Sequence, residues 1–132
     1  MGITVAWEDE QQTIIRLTYE GVWENEEFRN SSYQSMVMMR SVNHPVYVIN
    51  DFTKSEMPPL GVLWQARSTN QMRPSNWGGG VAITSDSVIR SLIDVFIHVY
   101  MLSRQQRDQF VVSTNEAALE IIARLKRENR VS

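Results

Sequence analysis

Three short apolar runs rich in β-branched residues, each followed by a segment with helical spacing, constrain the fold of this chain most strongly. The runs are 46–49, 81–84 and 110–113. Continuous apolar runs of this length are typical of strands that are buried on both faces of a parallel sheet. Segments 3–7 and 13–19 instead alternate between apolar and polar residues, which predicts an antiparallel hairpin ahead of the first helix.

The helical segments complete an alternating pattern. They are 25–41, 59–71, 87–102 and the segment that begins after Thr114. Asn25 and Thr114 are predicted N-caps, and Pro59 suits the first turn of a helix. The order β-β-α-β-α-β-α-β-α predicts an α/β fold with a mixed sheet and a parallel core. We expect residues 1–132 to form a single domain.

Composition excludes several classes of function. The formal net charge is −2, which argues against binding to nucleic acid. The chain has no cysteine and only two histidines, so we expect no disulfide, no thiol nucleophile, no metal and no cofactor. The longest apolar stretch, 95–102, is too short to span a membrane. The acidic start of the chain does not resemble a signal peptide, so we expect a cytoplasmic protein.

Four diffuse segments carry a resemblance to a known family. They are 19–21 (Tyr-Glu-Gly), 46–53, Pro74 with the glycines that follow it, and 114–119. Together with the element order, they resemble the STAS domain family, and more closely its SpoIIAA-like group of small stand-alone proteins. The resemblance covers nearly the whole chain. It implies five strands and four helices in a domain that binds partners or ligands and has no chemistry of its own.

The sequence departs from this family at the position of its regulatory serine. In anti-sigma-factor antagonists, a serine at the start of the second helix is phosphorylated and switches partner binding. The resemblance aligns Met57 with that serine, and two prolines follow it. Thr53 and Ser55 are nearby hydroxyls that do not match the position. A kinase switch is therefore not expected at this place in the chain.

A binding site is predicted at the carboxyl end of the third strand, together with the glycine-rich segment 78–80. In open α/β sheets, ligands tend to bind at the carboxyl ends of the strands. The predicted ligand- or partner-binding residues are Asp51, Thr53, Ser55 and Trp77. The structural alternatives are that the two hydroxyls only close a turn and that the indole only packs on the domain.

The predicted third helix has an apolar face wider than the roughly 100° stripe of an ordinary surface helix. Val95, Val99 and Leu102 extend this face, and we predict that they form a homodimer surface. A neighbouring helix of the same domain or an apolar ligand would also cover them. Met36, Met38 and Met39 on the first helix either fill the core or adapt to an apolar partner.

Three hypotheses of function follow. The first is a non-enzymatic regulatory or interaction module of STAS-like type, acting as a homodimer and with a regulatory protein as partner. The second is a carrier or sensor of a small apolar ligand such as a lipid, enclosed between the first and third helices. The third is an enzyme that uses Asp94 and His98, although a ladder of ion pairs with Arg90 explains the same spacing. No catalytic residue is predicted.

Overall fold

The computed structural model describes residues 2–101 and 108–131, and within them it shows one sheet with the strand order β1-β2-β3-β4-β5. The strands are β1 (Gly2–Trp7), β2 (Ile14–Gly21), β3 (Val46–Ser55), β4 (Trp77–Ile83) and β5 (Gln109–Val112). The helices are α1 (Asn25–Arg40), α2 (Val62–Asn70), α3 (Ser87–Val95) and α4 (Asn115–Val131). The predicted α/β fold with a five-stranded mixed sheet and four helices is confirmed.

The topology explains how the helices are distributed over the sheet. β1 and β2 are antiparallel, whereas β2, β3, β4 and β5 are parallel neighbours. Because the chain moves in one direction across the parallel strands, crossovers of one hand bring α1, α2 and α3 to the same face. α4 follows the last strand and packs against β4 and β5 on the opposite face.

Alternation along the strands divides the core into two clusters. Ile14, Ile49 and Ile83 point to α4, where they pack with Ile122. The side chains on the other face of the sheet belong to the cluster under α1. That cluster contains Ile15, Leu17, Tyr19, Trp23, Met39, Val46 and Val48. The sheet is therefore buried on both faces in its central strands, as the continuous apolar runs predicted.

Two helix starts differ from the sequence prediction. Glu24, not Asn25, is the N-cap of α1, and its backbone N–H donates to Glu27 Oε1 at 3.1 Å. Asn25 instead donates from Nδ2 to the carbonyl oxygen of Leu60 at 2.6 Å. α2 begins at Val62 rather than at Pro59, because Gly61 has a φ of 86°, a left-handed conformation that interrupts the helix.

Two strands are longer than predicted. β3 continues through the polar segment to Ser55, which lies beside Gly21 of β2. β4 begins at Trp77, so the three glycines lie in a strand rather than in a loop. The glycines allow neighbouring side chains to cross this strand. A Cβ atom at Gly78 would lie 2.6 Å from Cε2 of Tyr47.

The third helix changes its geometry near its end. After Val95 the chain continues as a π-helical turn over Phe96–Tyr100, in which the Met101 N–H donates to the carbonyl oxygen of Phe96 at 3.0 Å. The predicted end of this helix, Leu102, lies outside the described residues. None of the helices in the described ranges is long and apolar enough to cross a membrane.

Candidate functional site

A cavity lies between the sheet and the layer formed by α1, α2 and α3. The sheet contributes Leu17, Tyr19, Val48, Asn50, Phe52, Trp77, Ala82 and Gln109. α1 contributes Phe28, Ser32, Ser35, Met36 and Met39, and α2 contributes Val62, Leu63, Ala66, Thr69 and Asn70. α3 and the π-helical turn contribute Ile89, Leu92, Ile93 and Phe96, and the connecting segments contribute Trp23, Pro58 and Arg73. The lining is therefore predominantly apolar.

The cavity is large enough for a small molecule. The space open to the centre of a water molecule is about 150 Å³. A dry, apolar cavity of that size in another protein accommodates benzene. Leu63 of α2 and Leu92 of α3 are both half-buried, which indicates that the cavity opens between these two helices.

An aromatic cluster forms one wall of the cavity. The ring of Tyr19 stacks on Phe52 with centroids 4.2 Å apart, and Trp23 lies 5.0 Å from the same ring. The Tyr19 hydroxyl donates to Asn50 Oδ1 at 2.8 Å, and Trp23 Nε1 donates to Ser55 Oγ at 2.8 Å. Burial raises the pKa of Tyr19, so its hydroxyl stays protonated. The hydroxyl of Tyr19 and the indole N–H of Trp23 therefore both have hydrogen-bond partners.

Arg73 adds a charged group to the lining of the cavity. The Arg73 Cζ atom lies 4.0 Å from the centroid of the Trp77 ring. Its Nη1 atom is buried and has no hydrogen-bond partner among the described residues. Burial lowers the pKa of Arg73 to about 10, so the guanidinium is still charged at neutral pH. Among the described residues, the cavity thus combines apolar walls with one cation, Arg73, whose Nη1 donor is not used.

The segment between α2 and β4 holds Arg73 and Trp77 in place. The Arg73 N–H donates to the carbonyl oxygen of Asn70 at 3.3 Å, and the Trp77 N–H donates to that of Pro74 at 3.2 Å. Asn76 Nδ2 donates to the carbonyl oxygens of Met39 at 2.8 Å and His44 at 3.0 Å. The loop is therefore anchored to the carboxyl end of α1.

Of the four predicted binding residues, only Trp77 lines the cavity. Trp77 pairs with Val46 at the start of β3, whereas Thr53 lies seven residues further along the same strand. At about 3.3 Å per residue, these two positions are about 23 Å apart. The structure therefore does not bring the four residues together in one site. The physical reason is that Trp77 begins β4. It therefore lies at the edge of the sheet where the parallel strands start, whereas Thr53 and Ser55 lie near the opposite edge, where β3 ends.

The other three predicted residues make contacts within the protein. Asp51 Oδ2 accepts from Arg16 Nη1 at 3.0 Å on the face covered by α4. Asp51 Oδ1 accepts from the backbone and the hydroxyl of Thr53 at 3.0 and 2.7 Å. Ser55 accepts from Trp23, as described above, and donates to the carbonyl oxygen of Glu56. Ser55 thus supports the aromatic wall from outside the cavity.

Two of the three residues that were predicted to form a dimer surface lie in the described part of the chain. Val95 is 43% exposed and Val99 is 67% exposed, so both side chains face away from the core. Leu102, the third predicted residue, lies outside the described residues. Met36 and Met39 are buried and line the cavity.

Asp94 and His98, the pair of the enzymatic hypothesis, contact each other through the main chain of Asp94. His98 Nδ1 lies 2.8 Å from the main-chain oxygen of Asp94.

Arg73 was not singled out by sequence reasoning. The sequence does contain an indication that Arg73 faces inward. Thr69, Asn70 and Arg73 continue the helical spacing of Leu63 and Ala66. The inward face of α2 thus changes from apolar to polar toward its carboxyl end. Within the described ranges no group of three histidine, aspartate or glutamate side chains is placed to hold a metal ion.

Comparison with known proteins identifies the fold. The crystal structure of an uncharacterized protein of the DUF3478 family with a SpoIIAA-like fold, from Shewanella loihica PV-4, superimposes with a TM-score of 0.63. The match covers 90% of this chain and 92% of that chain at 12% sequence identity. No family model and no curated protein matches this chain. The chain therefore has a SpoIIAA-like α/β fold, in agreement with the resemblance seen in the sequence.

Proposed function

We propose that this protein is a non-catalytic binding protein for a small apolar ligand, which it carries or senses. The observation that supports the proposal is the cavity between the sheet and the helix layer. Protein interiors are normally packed without voids larger than a water molecule. The space of about 150 Å³ inside this cavity is much larger than such voids. Retention of such a space is explained if a ligand fills it.

The lining suits a compact apolar body. The rings of Phe52 and Phe96 and the side chains of Leu92 and Val48 offer apolar contacts. Burial of apolar ligand surface against such groups provides the main favourable contribution to binding. The volume matches a single aromatic ring or a short acyl chain better than a long-chain lipid.

The direct test uses benzyl alcohol as an uncharged probe and follows amide chemical shifts by NMR. We expect saturable binding with a Kd of about 1 mM, which is ordinary for a ligand of this size in an apolar site. Ala66 lines the cavity, so Ala66→Phe should fill it and abolish binding. Ala123→Phe makes the same change at an exposed position of α4 and should leave binding unchanged. Absence of saturable shifts in the unmodified protein would refute the proposal.

A second measurement examines the protein as purified from cells. Native mass spectrometry of the folded protein reads both subunit number and retained small molecules. An adduct of one to a few hundred daltons supports the binding function and reports the mass of the ligand. An adduct that is retained equally by Ala66→Phe would show that the molecule binds elsewhere.

A second candidate function is supported by the exposed valines of α3 and the π-helical turn. We propose that a second copy of the chain covers Val95 and Val99, so that the protein acts as a dimeric interaction module. Val95→Asp should then shift the sedimentation coefficient from dimer to monomer. Val37→Asp introduces the same charge at an exposed position of α1 and is the control. A dimer that persists in Val95→Asp would contradict this placement of the interface.

A further inference from the structure

We infer that the cavity ligand is a monoanionic carboxylic acid, whose carboxylate is bound by Arg73 and whose apolar body occupies the cavity. The inference rests on the proposed binding function and specifies the class of ligand. It is carried by three features of the structure: an unpaired buried donor, the position of the guanidinium over Trp77, and the absence of other charges among the described residues of the lining.

The first feature is the unpaired donor. Within the described ranges, no carboxylate forms an ion pair with Arg73, and its buried Nη1 has no hydrogen-bond partner. Burial of a cation is unfavourable unless an anion or hydrogen-bond acceptors compensate for the lost hydration. An acceptor supplied from outside the chain provides the missing compensation.

The second feature is the position of the guanidinium. Its Cζ atom lies over the Trp77 ring, 4.0 Å from the ring centroid. Arginine presents its five N–H donors in a planar fork. A planar fork of donors matches the two oxygens of a carboxylate. Because Trp77 is held in β4 beside Val46, this geometry exists before the ligand binds.

The third feature is the charge of the lining. Among the described residues, Arg73 is the only charged one that lines the cavity. One carboxylate neutralises one guanidinium. A phosphate dianion would leave an uncompensated negative charge in an apolar environment, which is strongly unfavourable. The lining therefore favours a single negative charge on a small apolar body.

The test compares two probes of nearly the same shape, phenylacetate and phenylacetamide, by isothermal titration calorimetry. We expect the unmodified protein to bind phenylacetate about 30-fold more tightly, because only the carboxylate forms a charge-assisted pair. Equal affinity for the two probes would overturn the inference. Tighter binding of phenyl phosphate than of phenylacetate would also overturn it, since it would show that the site prefers a dianion. These comparisons require no variant.

Two variants locate the effect. Arg73→Met should remove the preference for phenylacetate while binding of phenylacetamide changes less than about threefold. Arg67→Met removes an exposed arginine of α2 that lies over Trp64, and it should retain the preference. A preference that survives in Arg73→Met would refute the assignment. If benzyl alcohol fails to bind as well, the binding function itself is wrong; if it binds without a preference for phenylacetate, only the carboxylate assignment is wrong.

Discussion

Replacement of Arg73 by methionine should stabilise the ligand-free protein. The substitution keeps an unbranched apolar stem and removes the buried charge, which has no carboxylate partner in the described part of the chain. The lowering of the Arg73 pKa from its ordinary value to about 10 corresponds to about 3 kcal/mol, at 1.36 kcal/mol for each tenfold change. Since that burial disfavours the charged form in the folded state, the charge destabilises folding at neutral pH.

The stacking contact between Arg73 and Trp77 opposes this gain. A cation–π contact at 4.0 Å in a desolvated position contributes about 1 to 2 kcal/mol. The net effect of Arg73→Met is therefore an increase of about 1 to 2 kcal/mol in the free energy of unfolding. A residue that lowers stability in the free protein and binds the ligand is a common trade-off at functional sites.

Urea denaturation of ligand-free protein measures this effect. The midpoint of Arg73→Met should rise by about 0.5 to 1 M if the slope stays near 2 kcal/mol per M. Arg67→Met is the control, because Arg67 is exposed and its contact with Trp64 is longer, at 5.4 Å. That variant should change the free energy of unfolding by less than about 0.5 kcal/mol. A loss of more than 1 kcal/mol in Arg73→Met would refute the reasoning.

Three further predictions concern local structure, each measured by chemical denaturation. Asn76→Ala should lower stability by about 2 kcal/mol, because the carbonyl oxygens of Met39 and His44 lose their donor. Gly79→Ala should cost about 2 kcal/mol, since φ is 146° and the new Cβ would lie 2.7 Å from Leu125 Cδ1. Asp9→Ala should cost about 1 kcal/mol at pH 7, because Asp9 accepts from the backbone N–H groups of Thr13 and Ile14.

The pH dependence of the Asp9 effect follows from its pKa. Partial burial alone raises the pKa of Asp9, but hydrogen bonds from Thr13 and Ile14 and the charge of Lys126 lower it overall. A lowered folded-state pKa stabilises the protein above the unfolded value of 3.8, and the contribution is lost as the pH falls through the folded value. The difference between Asp9→Ala and the unmodified protein should therefore shrink as the pH falls below 3.8 and through the lower folded-state pKa of Asp9. A constant difference from pH 7 to pH 2 would contradict this explanation.

The fold was largely predictable from the sequence because each strand carries its own local pattern. The runs 46–49 and 81–84 are apolar enough to indicate buried parallel strands, and alternation indicated the hairpin. Element ends were less predictable. Ser55 is paired with Gly21 of a neighbouring strand, and the start of α2 depends on the left-handed conformation of Gly61. Neither cause is visible in a local window of the sequence.

The cavity was predictable only in part. A pocket between the first and third helices was part of the second of the three hypotheses, and Met36 and Phe96 on those elements do line the cavity. The role of Arg73 was not expected, because its burial depends on Trp77 and on how α2 packs over the sheet. Those contacts join segments that no helical or strand period connects. Exposed Trp64 also shows that hydrophobicity alone does not identify the inward face of α2.

The π-helical turn belongs both to the wall of the cavity and to the predicted dimer surface. Phe96 lines the cavity, whereas Val99, three residues later on the same turn, is exposed on the predicted dimer surface. A ligand that contacts Phe96 and a second subunit that contacts Val99 would share this short element. Thermodynamic reciprocity then applies: if occupancy of the cavity changes the affinity between subunits, association must change ligand affinity by the same factor. If the ligand and the second subunit both bind as proposed, this turn would couple occupancy of the cavity to the assembly state of the protein.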